Sequence, residues 1–272
     1  MDKNNSGILL LGAGRMGSAL LRGWIASKDF PTIHIVEPAP SEAILALADG
    51  GQIRLTANFE STRVKFKAAV IALKPQVVKN EVRLLRALGA RKALVVSIAA
   101  GITTHFLQFA LGSIRIVRTM PNTLGTIGRG ITGLYAPEAT SKQDRALAES
   151  LMTTLGETVW VADEGLIDVI TALSGSGPAY VFLLVETMTK AGIAMGLSPT
   201  VAARLARTTT AGAGALLDAD PRRPEELRRD VTSPGGTTEA ALRVLMSKNG
   251  LEDLMQRAIA AAARCSKELA RT

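Results

Sequence analysis

The sequence predicts a mixed α/β fold in two parts, an N-terminal half wound around a parallel sheet and a C-terminal half made only of helices. Three observations predict it. Short apolar runs alternate with helix-like segments as far as about Asp163, the pattern of β-α-β winding. Beyond that point the strand-like runs stop: Leu166–Leu173, Pro178–Met195, Pro199–Asp218, Pro224–Val231, Thr237–Ser247 and Leu251–Ala270 all read as helices, several opening at or near a proline. The first apolar run also leads directly into Gly12-Ala13-Gly14-Arg15-Met16-Gly17. The expected division is 1–163 and 164–272, and a chain of 272 residues is long enough for two domains.

Ile8-Leu9-Leu10-Leu11 is short and wholly apolar, as a buried strand should be, and Ser18–Ile25 reads as a helix. Between them the glycine pattern gains its meaning as the dinucleotide fingerprint of a Rossmann-type domain. Gly12 makes the tight turn, Gly14 lets a pyrophosphate approach, and Gly17 allows close helix–strand packing. Gly12, Ala13, Gly14, Arg15, Met16 and Gly17 are therefore candidate cofactor-binding residues. A second strand, Ile33–Val36, ends in Glu37, about 20 residues past the fingerprint, where a carboxylate binds the adenosine ribose. Such a carboxylate accepts from the 2′-OH of NAD and repels the 2′-phosphate of NADP, and no Lys or Arg lies between Glu37 and Ile53. NAD(P)H is the expected cofactor, with NADH favoured. The alternative has Glu37 in solvent and a basic residue arriving from elsewhere. His34, inside the strand, reads as a packing residue.

Ala68–Leu73 is the next strand, followed by Lys74-Pro75-Gln76 and a helical Val77–Leu88. Ligands of an open parallel sheet bind beyond the carboxyl ends of its strands, where Lys74, Pro75 and Gln76 fall. Ala93–Ile98 is a strand ending in Ala99-Ala100-Gly101, small enough for a flat ring to lie against backbone. Thr103 opens a helix bearing His105, a surface histidine. Ile114–Val117 is strand-like and runs into Arg118-Thr119-Met120-Pro121-Asn122-Thr123. Ile131–Tyr135, the helical Lys142–Leu155 and the strand Thr158–Val161 complete this half.

In the helical half, Pro178–Met195 is apolar nearly all round and Ala211–Ala215 alternates Ala with Gly; a helical dimer interface would bury both. Asp230–Thr238 combines a Ser-Pro break, two glycines and two threonines ahead of a helix. It reads in two ways, as a loop offering N–H groups and hydroxyls to an anion at a helix N-terminus, or as an ordinary cap and turn. The formal net charge of +8 suits an acidic partner such as nucleic acid, a membrane surface or a phosphate-bearing cofactor. Two Trp, two Tyr and six Phe leave little for base stacking, and Arg222, Arg223, Arg228 and Arg229 read as a solvated helix face, so no nucleic-acid partner is expected. The single Cys265 excludes an intrachain disulfide, which fits a reducing compartment, and with His34 and His105 it cannot assemble a zinc site, so no metal is expected. Met1–Ser6 lacks the basic and apolar regions of a signal peptide. No apolar run reaches the ~18 residues of a membrane span; the longest, Tyr180–Leu197, contains Glu186 and Lys190. A cytoplasmic protein without membrane contact is the expectation.

Taken together, Gly12–Gly17, Ala72-Leu73-Lys74-Pro75-Gln76, Ser97–Gly101, Met120-Pro121-Asn122-Thr123, Leu173–Phe182 and Asp230–Thr238 resemble pyrroline-5-carboxylate reductases over nearly the whole chain. The resemblance implies hydride transfer from NAD(P)H to the C=N carbon of 1-pyrroline-5-carboxylate, giving L-proline in the last step of its biosynthesis. It implies an all-α C-terminal dimerisation domain, a homodimer and assembly of dimers into rings. To the cofactor-binding set it adds Asn58, Ala72, Leu73, Lys74, Pro75, Ala99, Ala100, Gly101, Met120 and Asn122 beside the fingerprint and Glu37. It places the substrate carboxylate on Ser233 and the N–H groups around Gly235, Gly236 and Thr237, and gives Thr238 the catalytic position, its hydroxyl bonded to the ring nitrogen. Lys74 reads as a cofactor or loop positioner or as a catalytic lysine, and Ser174–Pro178 as a pocket wall or as a Gly-Pro helix start. Two departures stand out: Leu124 follows Thr123 where the family usually has Pro, and Glu37-Pro38-Ala39-Pro40 replaces the polar or basic residues of many NADPH-using relatives.

Two rival readings leave specific traces. A β-hydroxyacid dehydrogenase is expected to carry a Lys with an Asn four residues later on the long helix, but Lys190 is followed at that spacing by Ala194. A non-catalytic NAD-binding regulatory protein would keep the glycine motif while its substrate loop decayed, whereas Ser233, Gly235, Gly236 and Thr238 are all present.

Overall fold

The computed structural model describes residues 7–30, 32–62 and 64–271; Met1–Ser6, read above as lacking a signal peptide, lies outside them. The chain divides into one compact unit of residues 1–176 with 262–272, and a second of residues 177–261.

The first unit opens with β1 (Gly7–Leu11), α1 (Arg15–Ser27), β2 (Ile33–Val36), α2 (Glu42–Asp49), β3 (Arg54–Thr56) and β4 (Phe66–Ile71). There follow α3 (Pro75–Asn80), α4 (Val82–Gly89), β5 (Leu94–Ser97), α5 (Thr104–Leu111) and β6 (Ile116–Met120). A 3₁₀ turn (Thr123–Ile127) leads to β7 (Gly130–Tyr135), α6 (Lys142–Met152), β8 (Gly156–Trp160) and α7 (Leu166–Ile170). The eight strands make one sheet in the order β3-β2-β1-β4-β5-β6-β7-β8. Every pairing is parallel except the antiparallel β6–β7.

The apolar runs are continuous because helices cover both faces of the sheet. Side chains alternate across a strand, so neighbours in one run enter different cores. Leu10, Ile35, Val70 and Val96 join Leu20 and Trp24 of α1 and Leu151 of α6. Leu9, Leu11, Ile71 and Val95 join Leu85 of α4 and Leu107 of α5. Trp24 is fully buried and its indole N–H donates to the Leu151 carbonyl at 2.9 Å, which pins α1 and the glycine turn ahead of it. Register brings the strand ends level: Leu11 pairs with Val36 and Ile71, and Ile71 with Ser97. The order reverses at β1, so the crevice for a ligand opens beyond Leu11 and Ile71.

Several boundaries differ from the sequence reading. Val77–Leu88 is two helices, interrupted at Glu81 with φ −94° and ψ 41°. The strand expected from Ile114 begins at Ile116, leaving Ile114 61% exposed. The helix from Leu166 widens into a π turn over Thr171–Gly175, where the Ser176 N–H reaches the Thr171 carbonyl. Neither α2 nor β3 was anticipated; β3 is three residues long with no buried position, too short to show a period.

The second unit holds α8 (Gly177–Ala194), α9 (Pro199–Ala219), α10 (Pro224–Asp230), α11 (Thr237–Leu245) and the first part of α12 (Leu251–Arg271). In α8 and α9 only Pro178, Ala202 and Ala206 are buried, while Phe182 is 64% and Met195 86% exposed. Among the described residues, Leu166–Ala194 forms one helical run of 29 residues containing an 18-residue stretch with a mean hydropathy of 1.4, of which 22% is buried. This corrects the sequence reading: one helix is long and apolar enough to cross a membrane, because α7 and the π turn continue into α8. Arg222 pairs with Asp220 and Asp230 at 2.9 and 2.8 Å, so part of the basic cluster is neutralised by close carboxylates.

Candidate active site

Each fingerprint glycine meets a different physical demand. Gly12 has φ +91°, and a Cβ there would lie 2.9 Å from the Ala72 carbonyl oxygen. At Gly17 a Cβ would lie 2.3 Å from the Gly12 carbonyl oxygen, so α1 can approach β1 only without a side chain. Around Gly14 no atom lies within 4 Å of the added position. Gly14 is the exposed N-cap of α1 and makes no side-chain cap. The first-turn N–H groups of a 13-residue helix therefore face the crevice with room for a pyrophosphate. Arg15 is exposed and Met16 half-buried at the same turn. The residues present fit a dinucleotide.

Glu37, one residue past β2, is tied down. Its Oε2 accepts from the Ala13 N–H at 2.8 Å and its Oε1 from the Ala39 N–H at 3.1 Å. The carboxylate is thus docked on the glycine turn, with no basic partner among the described residues. Asn58, just beyond β3, is exposed and its Oδ1 accepts from the backbone N–H and hydroxyl of Ser61.

Ala72 and Leu73 are half-buried beyond β4, and the Ala72 N–H donates to the Leu11 carbonyl at 2.8 Å. Lys74 is the exposed N-cap of α3 with Pro75 in its first turn. Past β5, Ala99 is buried, Ala100 half-buried, and Gly101 has φ +70°. Met120 ends β6, and a Cβ on Gly175 of the π turn would lie 2.7 Å from its Cε. Asn122 is 5% exposed, and its buried Oδ1 has no partner among the described residues, as is true of Ser174 Oγ. Buried polar atoms are normally satisfied, so a ligand group is the natural partner at Asn122.

The segment expected to hold substrate, Asp230–Thr238, lies in the helical unit where α10 gives way to α11. Gly235 has φ +71°, and a Cβ on Gly236 would lie 2.5 Å from Ser233 Oγ. The Gly236 N–H donates to the Ser233 carbonyl at 3.0 Å, and the Gly235 N–H to Glu239 Oε2 at 2.6 Å. The segment makes the expected turn, and two of the N–H groups expected to meet a ligand are bonded within the loop. α11 starts at Thr237 without a side-chain cap, leaving its first-turn N–H groups beside the exposed Ser233 and the half-buried Thr238.

A family model described as pyrroline-5-carboxylate reductase dimerisation matches residues 164–269. A second, described as NADP oxidoreductase coenzyme F420-dependent, matches residues 7–101. The pyrroline-5-carboxylate reductase of Pseudomonas aeruginosa is 38% identical over 265 residues, covering 97% of this chain and 96% of that protein. The chain belongs to the pyrroline-5-carboxylate reductase family. Within that family the Pisum sativum enzyme is 36% identical over 95% of this chain and 94% of its own. The solved structure of the Coxiella burnetii pyrroline-5-carboxylate reductase aligns with a TM-score of 0.89 at 36% identity, over 99% of this chain and 100% of that one.

In this reductase-family fold β6, α5 and α7 are joined by an ion network that the motifs do not reveal. Arg118 of β6 is 2% exposed and reaches Glu164 at 3.1 Å and Asp168 at 3.6 Å. Glu164 also accepts from the Thr104 N–H and hydroxyl at 2.7 and 2.6 Å, and Asp168 from the Ser266 hydroxyl at 2.7 Å. The signal was present: an arginine inside an apolar strand requires a buried partner.

Proposed function

We propose that this chain reduces 1-pyrroline-5-carboxylate to L-proline with NAD(P)H as hydride donor, completing proline biosynthesis in the cytoplasm. The observation that carries the reading is the presence, in one member of this family, of an open glycine cradle together with a complete Ser233–Thr238 loop. When bound, the reduced nicotinamide supplies the hydride for the imine carbon. The chain's task is to orient the imine and exclude water. The Ser233 hydroxyl and the N–H groups opening α11 hold the substrate carboxylate; because Gly235 and Gly236 are bonded within the loop, Thr237 and Thr238 become the backbone donors. The Thr238 hydroxyl fixes the ring nitrogen. A protonated imine is already electrophilic, so no His or Cys is required, and His105 lies exposed on α5.

The same reading makes Gly12–Gly17 the pyrophosphate site, and Asn58, Ala72–Pro75, Ala99–Gly101, Met120 and Asn122 the remaining cofactor wall, with Lys74 positioning rather than catalytic. NADH is favoured, because the docked Glu37 carboxylate leaves no room for the charge of a 2′-phosphate; a Plasmodium falciparum relative at 26% identity has been solved with NADP bound, which makes the comparison a sharp one. The exposed apolar faces of the helical unit meet a second copy in a homodimer, the building block of any ring. Initial rates with NADH and NADPH against 1-pyrroline-5-carboxylate and its six-membered homologue test all of this. Faster turnover of the five-membered imine with NADH is expected. No oxidation of either cofactor by either imine overturns the function, and an NADPH preference overturns the role of Glu37.

A further inference from the structure

The last turns of α12 return to the first unit and touch one loop assigned above to the cofactor wall and the helix that follows the other. Main-chain atoms of Leu269 and Ala270 sit so close to Gly101 that a Cβ there would lie 3.2 and 3.3 Å from them. The Lys79 ammonium, on the helix that begins at Pro75, donates to the Leu269 carbonyl at 3.0 Å, a cation placed on a helix C-terminus, where it is favourable. One turn earlier the Ser266 hydroxyl, 4% exposed, donates to Asp168 at 2.7 Å. Asp168 belongs to the Arg118 network, which through Glu164 also holds Thr104, the first residue of α5 and three positions after Gly101.

We infer that the C-terminal turn of α12 positions the cofactor loops, with Ser266 as the anchoring residue. Gly101 has a left-handed φ of +70° and follows Ala99 and Ala100, so this segment offers nothing larger than methyl groups to fix its backbone. The helix end closes on that segment from behind, while the Ser266–Asp168 bond and the Lys79 contact fix the helix end itself. Ser266 does not touch the cofactor; it acts through Gly101 and α3. This inference rests on the reading of Lys74–Pro75 and Ala99–Gly101 as cofactor walls, and names the element that keeps them in place.

The test is a fluorescence titration of NADH and NADPH into the full-length wild type, Ser266→Ala and Ser266→Thr, alongside steady-state kinetics. Ser266→Ala is expected to raise cofactor Kd and cofactor KM about fivefold, the size of one lost hydrogen bond, with kcat at saturating cofactor within about twofold. Ser266→Thr, which keeps the hydroxyl, is expected to restore the wild-type Kd. Faster amide exchange across 99–102 in Ser266→Ala separates positioning from a general loss of stability. Should Ser266→Ala fail to fold, Lys79→Met removes the exposed contact alone and is expected to raise Kd in the same direction. Unchanged cofactor Kd in the folded variants overturns the inference. A wild type that binds cofactor without reducing the imine overturns the function above and leaves this inference standing.

Discussion

Replacing Gly14 or Gly17 by alanine adds the same methyl group three residues apart, yet the two substitutions should fail in different ways. At Gly17 the methyl carbon would sit 2.3 Å from a backbone carbonyl oxygen and 3.3 Å from Ala72 Cβ. A carbonyl cannot swing aside as a flexible side chain can, so the turn or α1 has to move. Overpacking of this kind costs about 1–3 kcal/mol, and in a chain of this size each kcal/mol lowers Tm by about 2–4 °C. At Gly14 the backbone is extended, with φ −64° and ψ −167°, and nothing lies within 4 Å. Alanine therefore fits the free protein, and its stability should stay within about 0.5 kcal/mol, as for an ordinary surface change. The new methyl instead occupies the space through which a pyrophosphate reaches the opening of α1, so cofactor Kd should rise at least about tenfold, or 1.4 kcal/mol. Thermal melts of the free proteins, followed by fluorescence titration with NADH and NADPH, separate the two effects. A Gly14→Ala chain that binds cofactor like wild type, or a Gly17→Ala chain that melts like wild type, would refute the reasoning.

Four further outcomes are expected. Thr238→Ala should lower kcat/KM for the imine about tenfold, the effect of losing one hydrogen bond of ~1.5 kcal/mol; near wild-type kinetics in a folded variant would remove Thr238 from the mechanism. Glu37→Ala should move the ratio of NADH to NADPH efficiency toward NADPH, read from initial rates with each, and it also frees the Ala13 N–H; an unmoved ratio would show that Glu37 does not set preference. The hydrogen bond from Arg115, at 2.7 Å, holds the Asp144 carboxyl below the usual carboxylate range, although partial burial opposes it. A depressed folded-state pKa stabilises above the unfolded value of ~3.9 and is lost as pH falls through the folded value. The stability gap between wild type and Asp144→Asn should thus be full at pH 6 and close progressively below about pH 4 in acid-unfolding curves; a gap that persists to pH 2 argues against it. Phe182→Asp, on an exposed apolar face of α8, should shift light scattering toward the monomer and lower the Tm at a given protein concentration; an unchanged oligomer would argue against that face as the contact.

The parts of the fold that were legible in the sequence are those in which one physical demand dominates a short stretch. β1 and β2 could be read to within a residue or two because strands covered on both faces must be apolar throughout. The glycine turn could be read because three positions with three steric requirements fall at fixed spacing. What escaped was set by tertiary partners. β3 survives as three residues because β2 offers it a register, and the helix break at Glu81 carries no Gly or Pro to announce it. The docking of Glu37 on the Ala13 N–H needed the turn and the strand end to be brought together before it could be seen. The Ser233–Thr238 loop forms between two helices as the sequence suggests, but which of its N–H groups are spoken for depends on Glu239 folding back over Gly235, a local choice that composition does not disclose. The Ser266 contact spans 98 residues of sequence to Asp168, beyond the reach of any local pattern.

The scarcity of buried side chains in α8 and α9 has a thermodynamic corollary. A helical unit whose largest apolar groups face outward holds only part of a core, and in the homodimer proposed above the remainder would come from another copy of the chain. Its folding is then a reaction of higher order than one, and its apparent stability belongs to the solution as much as to the chain. Melting temperatures should climb with protein concentration. A substitution on that surface can lower the amount of protein a cell maintains while leaving every reacting group untouched.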